Sequence, residues 1–330
     1  MSWKVLFINP LKDYIEGLKS STPDGYELVV LPAGTGVDEQ IAQAADADFI
    51  VSGIEIPEAV FRAATRAKFI QYMSSGYGQL SLEVLNDLGI PVAQMKTHSI
   101  SVAEHAVTLI LSLLRRIPAA TVQLREGKWR QDLDEGSYAE LYGKTVGIVG
   151  LGNIGRWVGK IVHHGFGANV IYYDHNQIPL TISELISARE VSLEDLMRES
   201  DVVCVNMPLN QGTNRLIGTE ELAMMKDSAV LVNVGRGEVI DETALIQALQ
   251  RGQIAGAGLD VFANEPLDLN SELLTMDSVI CTPHMAGVGW ENVQRRIATV
   301  WSNIDAVVRG EVPVGVVTEV KRPPVIQAVN

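Results

Sequence analysis

Cysteine is nearly absent: the 330 residues hold two, Cys204 and Cys281. Each sits inside a short apolar run, where a thiol is a small core residue. Two cysteines so placed give neither a disulfide framework nor the spacing of a metal site. Positive charge is also scarce, with 26 Lys and Arg against 40 Asp and Glu and a formal net charge of −14. Nucleic acid and anionic membrane surfaces need basic patches, so both are excluded as partners, whereas a small anion that one Arg can bind is not. No apolar run reaches the ~20 residues that span a bilayer. The opening MSWKVLFINP reads as a strand too short for a signal peptide, so the chain is expected to be soluble and cytoplasmic. What remains, 47% hydrophobic and 20% charged, describes a globular protein. Its length is long for one core and suits two domains.

Against this background the stretch Thr145–Gly155, TVGIVGLGNIG, stands out. Val146, Gly147, Ile148 and Val149 suit a buried parallel strand, and Gly150, Gly152 and Gly155 follow in the G-x-G-x-x-G spacing that opens a helix. The first glycine turns the chain and the second lets backbone N–H groups approach a pyrophosphate. The third lets the helix lie close on its strand, with its N-terminal dipole toward the anion. The spacing alone is weak evidence, and context strengthens it: a helix expected from Ile154 to about Phe166, a strand at Val170–Tyr173, then Asp174. The interval from Gly155 to Asp174 is about 20 residues, as expected for the carboxylate that holds an adenine ribose 2′-OH. Alone, Asp174 would read as a strand-end turn residue; here the ribose reading is preferred. His175 and Asn176 follow it, with no Arg or Lys to receive a 2′-phosphate, so NAD is preferred over NADP.

Upstream, the apolar runs Val5–Ile8, Leu28–Leu31, Phe49–Val51, Phe69–Tyr72 and Ile90–Val92 alternate with helix-length stretches such as Asp38–Ala45 and Pro57–Ala67. This predicts a small parallel-sheet domain over residues 1–99 with no glycine fingerprint of its own. Its turn Met73–Gly78 follows a strand and could expose backbone donors to a ligand, although a strand-to-helix turn needs glycine anyway. Ser101-x-x-Glu104 reads as a capping box for an apolar helix running through Val102, Ala106, Ile110 and Leu114 to Arg115 and Arg116. Such a helix is buried; it is expected to cross between domains and to meet a partner subunit. His105 within it reads as a core or interface histidine, and Arg125–Ala139 as a polar linker.

Beyond Asp174 the alternation resumes. Ser192-x-x-Asp195 caps a short helix, Asp201–Asn206 is a strand, Thr219–Met225 a helix and Ala229–Asn233 a strand. Asp241 caps the helix Glu242–Arg251, and Gly256–Asp260 and Val279–Thr282 close the sheet. The helix Glu291–Val308 leads back to the first domain. From Lys321-Arg322-Pro323-Pro324 onward there is no periodicity, and a loose tail is expected.

Three strand ends in this second half carry reactive groups. Arg236, in Asn233-Val234-Gly235-Arg236-Gly237, offers a permanently charged fork that matches a carboxylate. Asp260 is followed by Glu265-Pro266, and Thr282-Pro283 by His284. Singly these read as a surface charge, a loop acid and a satisfied histidine. Together, at the carboxyl edge of a sheet that carries the glycine fingerprint, they supply a substrate anchor, an orienting carboxylate and a proton donor.

With these residues in view, the sequence resembles the D-isomer-specific 2-hydroxyacid dehydrogenase family. GKTVGIVGLGNIGR at Gly143–Arg156, SVAEHAVTLIL at Ser101–Leu111, MPLNQGTNRLIG at Met207–Gly218, LVNVGRGEVIDETAL at Leu231–Leu245, GLDVFANEP at Gly258–Pro266 and TPHMAG at Thr282–Gly287 look like that family's blocks in its order. The resemblance implies an α/β fold of two doubly wound parallel-sheet domains. One is a Rossmann NAD-binding domain over 100–287; the other is a smaller flavodoxin-like substrate domain over 1–99 with 288–330. It implies an NAD-dependent oxidoreductase interconverting a 2-oxo acid and a D-2-hydroxy acid. Arg236, Glu265 and His284 would be its catalytic set: His284 gives its proton to the C2 oxygen, Glu265 fixes the ring and stabilises its charged form, and Arg236 grips the substrate carboxylate. Gly150, Gly152, Asn153, Ile154, Gly155, Asp174, Pro208, Thr213, Val234, Asp260 and Gly287 would line the dinucleotide, with Asp260 near the carboxamide. Backbone groups at Ser75, Gly76 and Tyr77 would help hold the substrate, and a homodimer through the nucleotide-binding domains is implied.

Two departures from the family bear on the substrate. Gly76-Tyr77-Gly78-Gln79 lacks the acid usual in that turn, and Lys96-Thr97-His98 replaces small or amide residues. An unusual acid, such as a phosphonate or sugar acid, is one alternative; a dinucleotide-sensing, corepressor-like binding protein is another.

Overall fold

A computed structural model describes residues 2–8, 11–32, 34–54, 56–73, 82–95, 97–132 and 134–319. The expectations placed on Ser75, Gly76, Tyr77, Lys96 and the stretch from Lys321 lie outside the described residues. The chain divides into two compact units, Met1–His98 with Val288–Asn330, and Ser99–Gly287.

The first unit alternates β1 (Trp3–Ile8), α1 (Lys12–Ser20), β2 (Tyr26–Leu31), α2 (Val37–Ala44), β3 (Phe49–Ser52), α3 (Glu58–Ala63), β4 (Phe69–Tyr72), α4 (Leu82–Leu88) and β5 (Val92–Gln94). Its sheet has the order β2-β1-β3-β4-β5 with every pair parallel, the doubly wound arrangement of flavodoxin-like domains. Both faces are covered, so the strands are continuous apolar runs: Phe49, Ile50 and Val51 are all buried. β5 starts at Val92, after Pro91, rather than at Ile90; α3 ends at Ala63, short of the expected Ala67.

The second unit opens with α5 (Ser99–Leu114) and α6 (Ile117–Arg125). β6 (Thr145–Val149), α7 (Asn153–Phe166), β7 (Asn169–Tyr173), α8 (Leu180–Leu185), β8 (Arg189–Glu190), α9 (Leu193–Glu199), β9 (Val202–Val205), α10 (Thr219–Met224), β10 (Val230–Asn233), α11 (Glu242–Gln250), β11 (Gly256–Leu259) and β12 (Val279–Cys281) follow. The all-parallel order β12-β11-β10-β9-β6-β7-β8 is that of a Rossmann domain with one added edge strand. Caps form where the sequence places them: Ser192 accepts the Asp195 N–H at 3.0 Å and Asp241 accepts the Ala244 N–H at 3.2 Å.

One expectation is corrected, and one helix forms where the sequence offered no expectation. α5 begins at Ser99, so Ser101 lies inside the helix and does not open it with a capping box. The stretch after Arg116 forms α6, a helix with no buried residue, whose apolar side chains gave no core-facing stripe to read.

The last helix, α12 (Trp290–Val308), belongs to the first unit, where Ile297, Val300, Ile304 and Val307 pack with Tyr14, Leu18 and the β1, β3 and β4 side chains. Asn303 of α12 donates to Gln71 of β4 at 2.6 Å and accepts the Val314 N–H at 2.9 Å. Among the described residues no single helix is long and apolar enough to cross a membrane.

Candidate active site

The glycine loop joins β6 to α7 beside β9, where the strand order reverses, and this is where open α/β sheets present their ligand crevice. Gly150 has φ +95°, and its N–H donates to Tyr173 O at 2.8 Å. A Cβ on Gly155 would stand 2.2 Å from Gly150 O, so the first turn of α7 lies directly on the loop. Gly152 is different. Its φ is −72° and a Cβ there would meet nothing within 4 Å, so the protein itself does not need a glycine at this position. The open space in front of it, at the exposed N-terminus of α7 with Asn153 and the half-buried Ile154, is what a pyrophosphate requires.

Asp174 follows β7 directly and lies against this loop. Its Oδ2 accepts the Leu151 N–H at 2.8 Å and its Oδ1 the Asn176 N–H at 2.8 Å. The acid thus braces the glycine turn. Pro208 is exposed, and its carbonyl accepts the hydroxyl of the buried Thr213 at 2.6 Å. Val234 is buried at the end of β10 and Gly287 is half-buried.

Arg236, Glu265 and His284 follow β10, β11 and β12, three adjacent strands. A Cβ on Gly237 would fall 1.9 Å from the Phe262 carbonyl carbon, so the arginine-bearing loop crosses the Phe262–Glu265 loop in direct contact. Arg236 is half-buried and its Nη1 donates to Gly235 O at 2.7 Å. Glu265 accepts the Phe262 N–H through Oε1 at 3.1 Å, and its Oε2 stands 2.7 Å from His284 Nδ1. A carboxylate can only accept, so Nδ1 carries a proton and Nε2 is the ring atom left to exchange one with a ligand. The pair is partly exposed, His284 at 51% and Glu265 at 35%.

Asp260, which the resemblance implies lies near the carboxamide, is tied into the protein around His284. Its side chain is 1% exposed and holds the loop of His284: Oδ1 accepts the Thr282 hydroxyl at 2.6 Å and the Met285 N–H at 2.9 Å, and Oδ2 accepts the Ala286 N–H at 2.8 Å. His105 of α5 joins this cluster, its Nε2 2.9 Å from Thr282 Oγ1. Sequence reading places His105 as a core or interface histidine and gives Thr282 no role of its own. The available signals were a histidine interrupting the apolar stripe of α5 and a threonine two places before His284.

A pocket of about 600 Å³ beside the pair is lined by Phe262, Leu267, Leu274, Cys281 and Pro283 together with Glu265 and His284. Burial, helped by the charge of Glu242, pushes the Cys281 thiol up to about 11, and burial pushes Cys204 up to about 12. Neither is a thiolate nucleophile near neutral pH.

Comparison with known proteins decides the family. Residues 107–286 match the family model described as D-isomer specific 2-hydroxyacid dehydrogenase, NAD binding domain. The chain belongs to the D-isomer-specific 2-hydroxyacid dehydrogenase family. It is 33% identical over 303 residues to glyoxylate/hydroxypyruvate reductase B of Pectobacterium carotovorum, covering 91% of this chain and 94% of that protein. It is 37% identical over 319 residues to D-3-phosphoglycerate dehydrogenase of Methanocaldococcus jannaschii, covering 95% of this chain and 59% of that longer protein. The solved D-mandelate dehydrogenase of Rhodotorula graminis superposes with a TM-score of 0.86 at 26% identity, covering 98% of this chain and all of that one. As a member of the family the chain is an NAD-dependent oxidoreductase of small 2-hydroxy acids, and the open cradle at Gly152 is consistent with that cofactor.

Proposed function

We propose that this dehydrogenase interconverts a 2-oxo acid and its D-2-hydroxy acid with Arg236, Glu265 and His284 as the catalytic set. The observation that carries the reading is the 2.7 Å contact between Glu265 Oε2 and His284 Nδ1. NADH, when bound, supplies the hydride that C2 receives. His284, charged, donates its Nε2 proton to the C2 oxygen, so that ketone, hydride and proton together make the alcohol. Glu265 holds Nδ1–H, fixing the ring and offsetting the imidazolium charge before transfer. Arg236 binds the substrate carboxylate as a two-pronged donor and draws electron density from the ketone. The neutral imidazole then regains a proton from solvent; oxidation runs the same steps in reverse.

In this reading the unit Ser99–Gly287 holds the dinucleotide through Gly150, Gly152, Asn153, Ile154, Gly155, Asp174, Pro208, Thr213, Val234, Asp260 and Gly287. The unit of Met1–His98 with Val288–Asn330 serves the substrate, through Ser75, Gly76 and Tyr77 by resemblance. Asp174 at the ribose favours NAD over NADP. A homodimer through the nucleotide-binding units is supported by the exposed apolar side chains of Ile117, Val122 and Leu124 on α6 and of Trp129 beyond it. A cytoplasmic location is supported by two free cysteines.

Relatives named for glyoxylate, hydroxypyruvate, 3-phosphoglycerate and mandelate make the acid's side chain the variable to measure. The test is loss of nicotinamide absorbance with NADH and, in parallel, NADPH across 2-oxo acids from glyoxylate and pyruvate to aromatic and phosphonate-bearing ones. Turnover with NADH is expected. Silence across the panel despite tight NADH binding would overturn the reading in favour of a dinucleotide-sensing role.

A further inference from the structure

His105 lies in α5, the helix with the most apolar composition in the chain, with its side chain 18% exposed. A polar group in such a place is costly unless it is bonded, and its partners are far away in sequence. Nε2 stands 2.9 Å from Thr282 Oγ1 and 3.5 Å from Asp260 Oδ1. The direction of the chain of bonds follows from counting protons. Thr282 has one hydroxyl hydrogen, and at 2.6 Å it goes to Asp260, whose carboxylate can only accept. Thr282 oxygen therefore accepts from His105, and Nε2 of His105 is the protonated nitrogen.

This relay ends at the backbone that carries His284. Asp260 accepts from Met285 and Ala286, the two residues after His284, and its own carbonyl accepts the His284 N–H at 2.8 Å. His284 itself has φ +49°, a left-handed conformation that non-glycine residues hold only where the surroundings over-determine it. At the other end α5 is fixed, with Val102, Ala103, Ala106 and Ile110 in the core shared with β6, β9 and β10.

We infer that His105 is a positioning residue for His284: donating to Thr282, it locks Asp260 onto the 282–286 loop and so aims the imidazole that Glu265 holds from its other side. This rests on the proposed acid/base role of His284. His105 touches neither substrate nor reacting atoms in this scheme. Its effect is on how often the ring stands where proton transfer can occur.

The test uses the full-length protein and four variants: His105→Phe, which fills the space without a donor, His105→Gln, which restores one, Thr282→Val, and His284→Asn as a control. His105→Phe is expected to lower kcat by about 10- to 100-fold, as small misplacements of reacting groups do. The KM for the 2-oxo acid and the Kd for NADH should stay close to wild type, and the isotope effect with deuterated NADH should rise as the chemical step becomes limiting. His105→Gln should recover most of the rate, and Thr282→Val combined with His105→Phe should lose no more than either alone. Wild-type kcat in His105→Phe, with His284→Asn inactive, overturns the inference and leaves the acid/base reading standing. An active His284→Asn overturns both. A rate loss that His105→Gln does not rescue, or that comes with an equal loss of NADH affinity, assigns His105 to packing and also overturns it. If His105→Phe does not fold, the near-isosteric Thr282→Val decides: a kcat loss at unchanged NADH affinity supports the relay and wild-type kcat overturns it.

Discussion

Glu265 meets His284 at 2.7 Å through Oε2 while its Oε1 is held by the Phe262 N–H at 3.1 Å, so the carboxylate is fixed by the protein before it fixes the ring. Both contacts need an accepting oxygen. Glu265→Gln removes the charge opposite the imidazolium and leaves one oxygen for two N–H donors, so it weakens the hold on the ring as well. The kcat for reduction is expected to fall by about 10- to 100-fold, less than the ~10²- to 10⁴-fold of a whole general-acid contribution because His284 is still present, with NADH affinity unchanged. Steady-state rates beside a fluorescence titration of NADH measure this; an unaltered kcat would remove the charge of Glu265 from the mechanism.

His284 can be replaced without disturbing the loop, because asparagine is one of the few side chains that also tolerate φ near +49°. His284→Asn should therefore keep its melting temperature and its NADH binding while turnover drops by ~10²-fold or more. Turnover within a few-fold of wild type would show that another group delivers the proton.

Much of this architecture is legible in the chain because local chemistry determines it. Val202–Val205 and Val230–Asn233 are buried on both faces and read as continuous apolar runs, and Ser192 and Asp241 cap helices through contacts three residues away. The glycine spacing and the three strand-end residues are visible for the same reason. What is not legible depends on distance or on exposure. His105 looks like a core histidine because its partner Thr282 is 177 residues further along the chain, and no spacing encodes that meeting. α6 escapes because its apolar side chains face outward and set no inward stripe. β8 is two residues at a sheet edge, too short to carry a period.

Asp174 braces the glycine loop and, in the proposed function, also holds the ribose. Its two oxygens accept the Leu151 and Asn176 N–H groups, so Asp174→Ala loosens the glycine turn for any dinucleotide and, in addition, removes the partner of the 2′-OH. NADH affinity should fall by roughly 10-fold or more, on the scale of a hydrogen bond to a charged group, and NADPH affinity by clearly less, since the carboxylate repels a 2′-phosphate. Equal losses for the two cofactors, measured by titration, would leave Asp174 as a brace for the loop alone.

Gly152 at the end of the loop and Gly155 in the first turn of α7 lie three residues apart and should respond in opposite ways to the same methyl group. At Gly155 a Cβ would press on Gly150 O at 2.2 Å and on Ile148 Cγ2 at 2.9 Å, so Gly155→Ala must move backbone. It should cost stability, on the order of 1–3 kcal/mol as overpacking does, seen as a lower denaturant midpoint with or without cofactor. At Gly152 the backbone has an ordinary φ and the methyl would meet no protein atom, so Gly152→Ala should fold with the wild-type midpoint. Yet the methyl would occupy the space through which the backbone approaches a pyrophosphate, and NADH affinity should fall by about 10-fold or more, beyond any change in stability. The dissociation of the two effects is the test. A Gly152→Ala protein that binds NADH as wild type would mean that the dinucleotide does not pass over this turn, and the assignment of Asn153 and Ile154 to its phosphates would fall with it.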